Sequence, residues 1–145
     1  MEIPKIYKES DTSLDIILSK KVAIIGFGNQ GRAQALNLQN SGVSVSIGLR
    51  EDSDRRLDVK NERLQCQNIQ DAVLCSEVIA ILIPDQVMAT VYKEYILPNL
   101  QEGQTLLFSH GYNIVYELIQ PPKFVNVVMA APSGAGAEVR NQYKK

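Results

Sequence analysis

The sequence predicts an α/β fold, a single domain built on a doubly wound parallel sheet, and three observations predict it. Short apolar runs alternate with stretches of helical pattern along the chain. The runs are of strand length and are bounded by Gly, Pro, Ser or Asp. One of them passes straight through a glycine-rich turn into good helix formers, 22-VAIIGFGNQGRAQALNL-38. Alternation of this kind builds parallel sheets with right-handed crossovers.

Taken in order, residues 21–25 (KVAII) read as a buried strand and 29–40 as a helix. Ser41-Gly42 stops that helix, because a glycine just past the periodic residues permits the chain to turn away. Residues 43–47 (VSVSI) are β-branched and alternating, hence a second strand. Residues 50–63 hold five acids and five bases, the pattern of a solvated loop and helix face. Residues 64–67 read as a short strand and 69–75 as a short helix. Residues 78–83 (VIAILI) are continuously apolar, as in a strand covered on both faces. Pro84-Asp85 ends it, and 86–95 has helical pattern. Residues 105–109 (TLLFS) form the next strand, followed by a turn at His110-Gly111. A short helix at 114–119 stops before Pro121-Pro122, and 124–130 (FVNVVMA) is the last strand. The tail, APSGAGAEVRNQYKK, is small and glycine-rich, then charged.

Composition narrows the function. The chain has 145 residues, 45% hydrophobic and 21% charged, enough for one core without staples. A net charge of −1 provides no field for nucleic acid or a membrane surface. No run approaches the roughly 18 apolar residues of a membrane span. Cys66 and Cys75 fit neither a zinc site nor a redox pair and read as partly buried free thiols, so a cytoplasmic location is expected. With His110 as the only histidine, a site of several histidines is excluded.

In folds of this class ligands bind at the carboxyl ends of the strands, near the switch point. Gly26, Gly28 and Gly31 fit G-x-G-x-x-G there. The first permits the tight turn, the second admits a pyrophosphate to the backbone, and the third lets helix and strand pack closely. Free amides of the first helical turn, with the helix dipole, would hold the anion. The fold is therefore expected to be of the Rossmann, dinucleotide-binding type. The alternative is a purely structural turn.

The end of the second strand should meet the adenosine ribose. NAD sites place an acid about 20 residues on, whereas arginine accommodates a 2′-phosphate. Here the chain reads Gly48-Leu49-Arg50, then Ser53, Arg55 and Arg56. A guanidinium matches a phosphate in geometry and charge, which favours NADP. Glu51, Asp52 and Asp54 crowd the same loop and could bond a free ribose diol instead. A solvated charged turn competes as a reading, more for Arg56 than for Arg50. His110 ends a strand at the reactive edge, and imidazole handles protons near neutrality. It could equally just bond the adjacent backbone. Asp85 could be a helix N-cap, and Val87 and Met88 could be plain packing.

The segments VAIIGFGNQGRAQALNLQNSGVSVSIGLRE, ILIPDQVMATVYKEYILPNL, FSHGYNI and APSGAG together resemble the N-terminal NADP-binding domain of ketol-acid reductoisomerase (acetohydroxy acid isomeroreductase). The opening IYKESDTSLDIILSKK is similar to that family's start, and the resemblance runs over residues 6–143. It implies a magnesium-assisted alkyl shift of 2-acetolactate or 2-aceto-2-hydroxybutyrate, then reduction by NADPH, toward valine, leucine and isoleucine. By position it implies that Phe27, Gly28, Asn29 and Gln30 cradle the pyrophosphate and that Arg50, Ser53 and Arg55 meet the 2′-phosphate. Asp85, Gln86, Val87 and Met88 would line the cofactor. His110 matches the active-site histidine, and Gly136 would lie near the nicotinamide.

Three departures set expectations. Ser133 and Ala137 stand where the family carries a lysine that organises the metal site and a histidine. Asn29 replaces the usual serine, and Arg32 and Gln34 replace histidines. The chain stops at Lys145, without the helical domain whose carboxylates bind magnesium. Residues 1–145 are thus expected to be an NADP-binding domain that holds the cofactor without catalysing the full reaction alone. The other readings are a non-catalytic dinucleotide-binding module and a small NADPH-dependent reductase of another carbonyl substrate. A separate helical domain or chain is the expected partner, and an apolar patch left by its absence would let the domain form a homodimer.

Overall fold

A computed structural model describes residues 4–145. After a 3-10 turn at Glu9–Asp11, a short helix α1 (Asp15–Leu18) leads into β1 (Lys21–Ile25). There follow α2 (Asn29–Asn40), β2 (Ser44–Leu49), α3 (Arg56–Asn61), β3 (Gln65–Asn68) and α4 (Ile69–Leu74). The second half comprises β4 (Val78–Ile81), α5 (Asp85–Val91), β5 (Thr105–Phe108), α6 (Tyr112–Val115), β6 (Asn126–Met129) and α7 (Gly136–Tyr143). The six strands form one parallel sheet in the order β3-β2-β1-β4-β5-β6. The direction of winding reverses between β1 and β4, so the loops after these two strands flank the switch point.

Strand alternation divides the core into two layers. From β1, Ala23 and Ile25 face a cluster with Ile79, Ile81, Leu106 and Phe108, roofed by α4 and α5. Val22 and Ile24 face the opposite cluster with Ile47, Leu49 and Ala80, roofed by α2 and α3. All four of these β1 side chains are buried, as continuous apolar runs in central parallel strands require. At the far edge, β6 exposes Val127, Val128 and Met129. Among the described residues no helix is long and apolar enough to cross a membrane.

Several boundaries differ from expectation. β2 runs on through Gly48 and Leu49, which pair with Gln67 and Asn68 of β3. The helical pattern at 86–95 resolves into α5 followed by a π-helical turn, Tyr92–Ile96, and a 3-10 turn, Leu97–Asn99. α6 lies earlier than residues 114–119, because Glu117 takes a positive φ of 56° and ends it, while Ile119 N–H folds back to the Asn113 carbonyl at 3.0 Å. The last strand contracts to its central residues. Cys66 is half-buried as expected, but Cys75 is exposed, one residue past the end of α4. The largest difference is α7. The tail is a helix packed on α2, with Arg140 Nη1 donating to Asn37 Oδ1 at 2.8 Å and the Ser41 and Tyr143 hydroxyls 2.7 Å apart.

The π-helical turn buries Tyr92, and its hydroxyl has no hydrogen-bond partner among the described residues. Burial pushes the phenol up to about 12 from an ordinary 10.0. The folded state thus favours the protonated form. Its stabilising contribution is complete below pH 10 and lost as pH rises through the folded value of about 12. Tyr92→Phe should leave stability at pH 7 equal or higher by about 1 kcal/mol, since it removes an unpaired buried hydroxyl. It should also flatten the decline above pH 10 in alkaline denaturation scans. A fall in stability at pH 7 on removing the hydroxyl would show that the oxygen is paired in solution.

Candidate dinucleotide site

β1 ends at Ile25 and the chain turns at Gly26, whose φ of 100° is open to few residues but glycine. Its N–H is held by the Gly48 carbonyl at 3.1 Å, fixing the turn to the end of β2. A side chain at Gly26 would meet Leu82 O at 2.7 Å, and one at Gly31 would meet Gly26 O at the same distance. Both sites are closed by the protein's own backbone. Gly28 is different: a Cβ there meets nothing among the described residues within 4 Å. The fold therefore needs glycine at two of the three positions and leaves the space above the third clear. A diphosphate approaching the backbone would occupy that space, so the loop fits the group.

Gly28 is also the N-cap of α2, and no side chain caps this helix. Its first intrahelical bond runs from Arg32 N–H to Gly28 O at 2.9 Å. The amides of Asn29, Gln30 and Gly31 precede that bond and have no acceptor within the helix. Phe27 is buried in the core, so only its backbone can take part. The Gln30 side chain is committed to Gly134 O at 2.9 Å. Gln34 continues the link, donating to Gln30 Oε1 at 3.2 Å and Ser109 Oγ at 3.3 Å. These two glutamines tie the glycine loop to the end of β5 and to the turn before α7, a connection that spacing alone does not reveal.

Two clefts flank the loop. One, of about 250 Å³, lies between the ends of β2 and β4; Ile69, Ile83, Pro84 and Val87 give it apolar walls, and Arg50 and Ser53 also line it. Its apolar walls suit a flat aromatic group. The other, of about 280 Å³, runs between the loop and α7 and holds Gly28, Asn29, Arg55, Arg140 and Lys144. Arg50 and Ser53 thus share a cleft, while Arg55 lies in the neighbouring one. Arg50 is 62% exposed, with Asp52 as its nearest acid at 3.9 Å. Arg55 is 60% exposed and pairs with Asp58 at 3.2 Å. Arg56 has a different role: it bonds the Leu49 and Arg50 carbonyls and the Asn68 side chain.

On the other side of the switch point, Pro84 rather than Asp85 is the N-cap of α5, and no side chain caps it. Asp85 instead accepts from Asn113 Nδ2 at 3.3 Å through Oδ1, while Oδ2 lies 3.4 Å from His110 Nδ1. Asn113 is fully buried in α6 and also donates to Met88 Sδ at 3.5 Å. Met88 is therefore core packing, Val87 is exposed and lines the cleft between β2 and β4, and Gln86 is exposed but lines neither cleft. His110 is 68% exposed and its Nδ1 also accepts from Tyr112 N–H at 3.2 Å. A neutral ring with Nδ1 bare takes the Tyr112 amide and presents Nε2–H outward. A protonated ring can instead donate to Asp85. Either form is held by a partner already in place.

Gly136 opens α7 and lies against the glycine loop, where a Cβ would overlap the Asn29 carbonyl oxygen; it lines the cleft that holds Arg55, not the surroundings of His110. Among the described residues no three His, Cys, Asp or Glu side chains gather as a cation site requires.

Comparison with known proteins agrees with this geometry. The family model for the acetohydroxy acid isomeroreductase NADPH-binding domain matches residues 16–145. The ketol-acid reductoisomerase (NADP(+)) of Pyrococcus abyssi is 44% identical over 99% of this chain and 43% of its own length. That of Kocuria rhizophila is 49% identical over 97% of this chain and 41% of its own. A solved NADH-preferring ketol-acid reductoisomerase from an uncultured archaean superposes with a TM-score of 0.90 at 36% identity, covering 94% of this chain and 43% of that one. The chain spans less than half the length of these relatives. With its sheet order, its glycine loop and matches that run from end to end, the chain belongs to the acetohydroxy acid isomeroreductase family, in the part that forms the NADPH-binding domain.

Proposed function

We propose that the chain is the cofactor-binding unit of a ketol-acid reductoisomerase and prefers NADPH to NADH. The observation that carries this reading is the clear space above Gly28, in a loop whose other two glycines are closed by backbone. The diphosphate lies over the amides of Asn29, Gln30 and Gly31. The adenine enters the apolar cleft beside Val87, where Arg50 and Ser53 meet the 2′-phosphate. Arg55 approaches it from the other cleft. The nicotinamide end lies toward His110 and Asp85, and the cofactor, when bound, supplies a hydride. His110 orients or protonates an oxygen of the substrate there, steadied by Asp85 and the Tyr112 amide.

The relatives' acyloin substrates and their rearrangement belong to the whole enzyme. The carboxylates that would bind magnesium are assigned to a helical unit other than the residues described, since no three His, Cys, Asp or Glu side chains gather among these. Because the family includes a member described as NADH-preferring, preference is read from residues rather than from membership.

Fluorescence titration of both cofactors tests the reading. NADPH should bind more tightly, and Arg50→Ala should weaken NADPH more than NADH by about 1–3 kcal/mol, the value of a charge-assisted hydrogen bond. Equal affinities in the parent protein would remove the 2′-phosphate assignment and turn attention to Glu51 and Asp52.

A further inference from the structure

The residues offered to the 2′-phosphate are poorly held by their own side chains. Arg50 is largely exposed, and its one ion-pair partner among the described residues lies 3.9 Å away. Ser53 belongs to a turn outside the sheet. A long, exposed side chain on a loose turn must be ordered at the moment of binding, and that ordering subtracts from affinity. The turn is not loose, however, and Arg56 is the reason. Its Nε donates to the Arg50 carbonyl at 2.9 Å, and its Nη2 donates to the Leu49 carbonyl at 3.1 Å and to Asn68 Oδ1. The Arg50 carbonyl also accepts Ser53 N–H at 3.2 Å, and Arg56 N–H returns to the Ser53 carbonyl at 3.3 Å. One guanidinium therefore closes the turn from 50 to 56 on itself and ties it to the end of β3. Among the described residues Arg56 has no carboxylate partner within ion-pair distance, so its donors go to this frame.

Resting on the proposed preference for NADPH, we propose that Arg56 is a positioning residue for cofactor selectivity. Without touching the cofactor, it fixes the backbone that aims Arg50 and Ser53 at the 2′-phosphate. A planar fork of donors can hold two successive carbonyls and an amide oxygen at once, which the point charge of a lysine cannot do.

The test compares Kd for NADPH and for NADH in the parent chain, Arg56→Ala, Arg56→Lys, Asn68→Ala and Arg50→Ala, with a melting curve for each. Arg56→Ala should weaken NADPH by roughly five- to tenfold, the effect of misaligning a charge-assisted contact, and shift NADH by less than about twofold. Arg56→Lys should recover part of the preference. Asn68→Ala should shift the ratio in the same direction by less, and it carries the test with Arg56→Lys if Arg56→Ala does not fold. Equal weakening of both cofactors would mean that Arg56 only supports the fold, and no change would mean that the turn holds without it; either overturns the inference. If Arg50→Ala abolishes the preference while every Arg56 and Asn68 variant keeps it, this inference falls and the site reading stands. A parent protein with no preference overturns both.

Discussion

Gly28→Ala should fold like the parent protein and bind NADPH at least roughly tenfold more weakly, while Gly31→Ala should lose stability first. The added methyl at Gly28 meets nothing within 4 Å, and the backbone there, φ −82° and ψ −159°, is extended and open to alanine. The expected change in stability is below about 1 kcal/mol, the scale of an N-cap substitution. The methyl does stand where a diphosphate must reach the amides of α2. Displacing the anion by about an ångström costs much of a charge-assisted contact, hence the tenfold figure. At Gly31 the same methyl is driven to 2.7 Å from the Gly26 carbonyl, so helix and strand must separate. Overpacking of this kind costs about 1–3 kcal/mol. Thermal melts and NADPH titrations of the two variants separate a ligand-imposed glycine from a fold-imposed one. Full affinity in Gly28→Ala would leave the loop a structural turn.

That contrast also marks what could be read before any coordinates. The three glycines were visible as a pattern, and so was the sheet, because buried parallel strands are continuous apolar runs that few other environments produce. The pattern assigns Gly28 to the pyrophosphate, but it does not show what closes the space at the other two glycines. That depends on Leu82, Ile83 and Gly26 itself lying across the loop. The β-branched alternation that marks the second strand stops at Ile47, yet β2 continues through Gly48. In the sheet its missing side chain makes room for Ile25, whose Cδ1 would lie 2.7 Å from a Cβ. Asp85 looked like a cap because it follows Pro84 at a helix start. Its actual partner, Asn113, is 28 residues away, beyond the reach of local rules.

Arginines are the hardest residues to assign from spacing. Arg50, Arg55 and Arg56 stand in one charged run, where a solvated turn competes as a reading, more for Arg56 than for Arg50. Two are exposed at clefts, while the third bonds backbone carbonyls. The difference arises because β2 ends at Leu49, leaving carbonyls that need donors, and Arg56 is in reach of them. The tail was unreadable for a related reason. A helix normally announces itself by an apolar stripe. α7 is instead held to α2 largely by polar pairs, Arg140 with Asn37 and Asn40, and Tyr143 with Ser41. Its residues look like a solvated terminus because hydrogen-bonding side chains carry no period.

The seat of α7 yields the other large effect. Gly136→Ala should unseat the helix and weaken cofactor binding together. An ideal Cβ at this position would overlap both Asn29 O and Asn29 C, far inside ordinary contact at 3.4–4 Å. Neither atom belongs to a flexible side chain, so the start of α7 must move by more than an ångström or drag the glycine loop with it. Moving α7 strains the bond from Gln30 Nε2 to Gly134 O and the pairing of Arg140 with Asn37. Moving the loop displaces the Asn29 and Gln30 amides that face the diphosphate. The expected loss is about 1–3 kcal/mol of stability from overpacking, with a fall in NADPH affinity that Arg140→Ala does not share. Arg140→Ala loosens the same helix from its other turn while leaving the backbone of Asn29 untouched. A Gly136→Ala protein that melts and binds like its parent would mean that α7 does not rest on the loop in solution. If both variants lost affinity equally, the cause would be the helix as a whole, and the close contact at Asn29 would have no separate role.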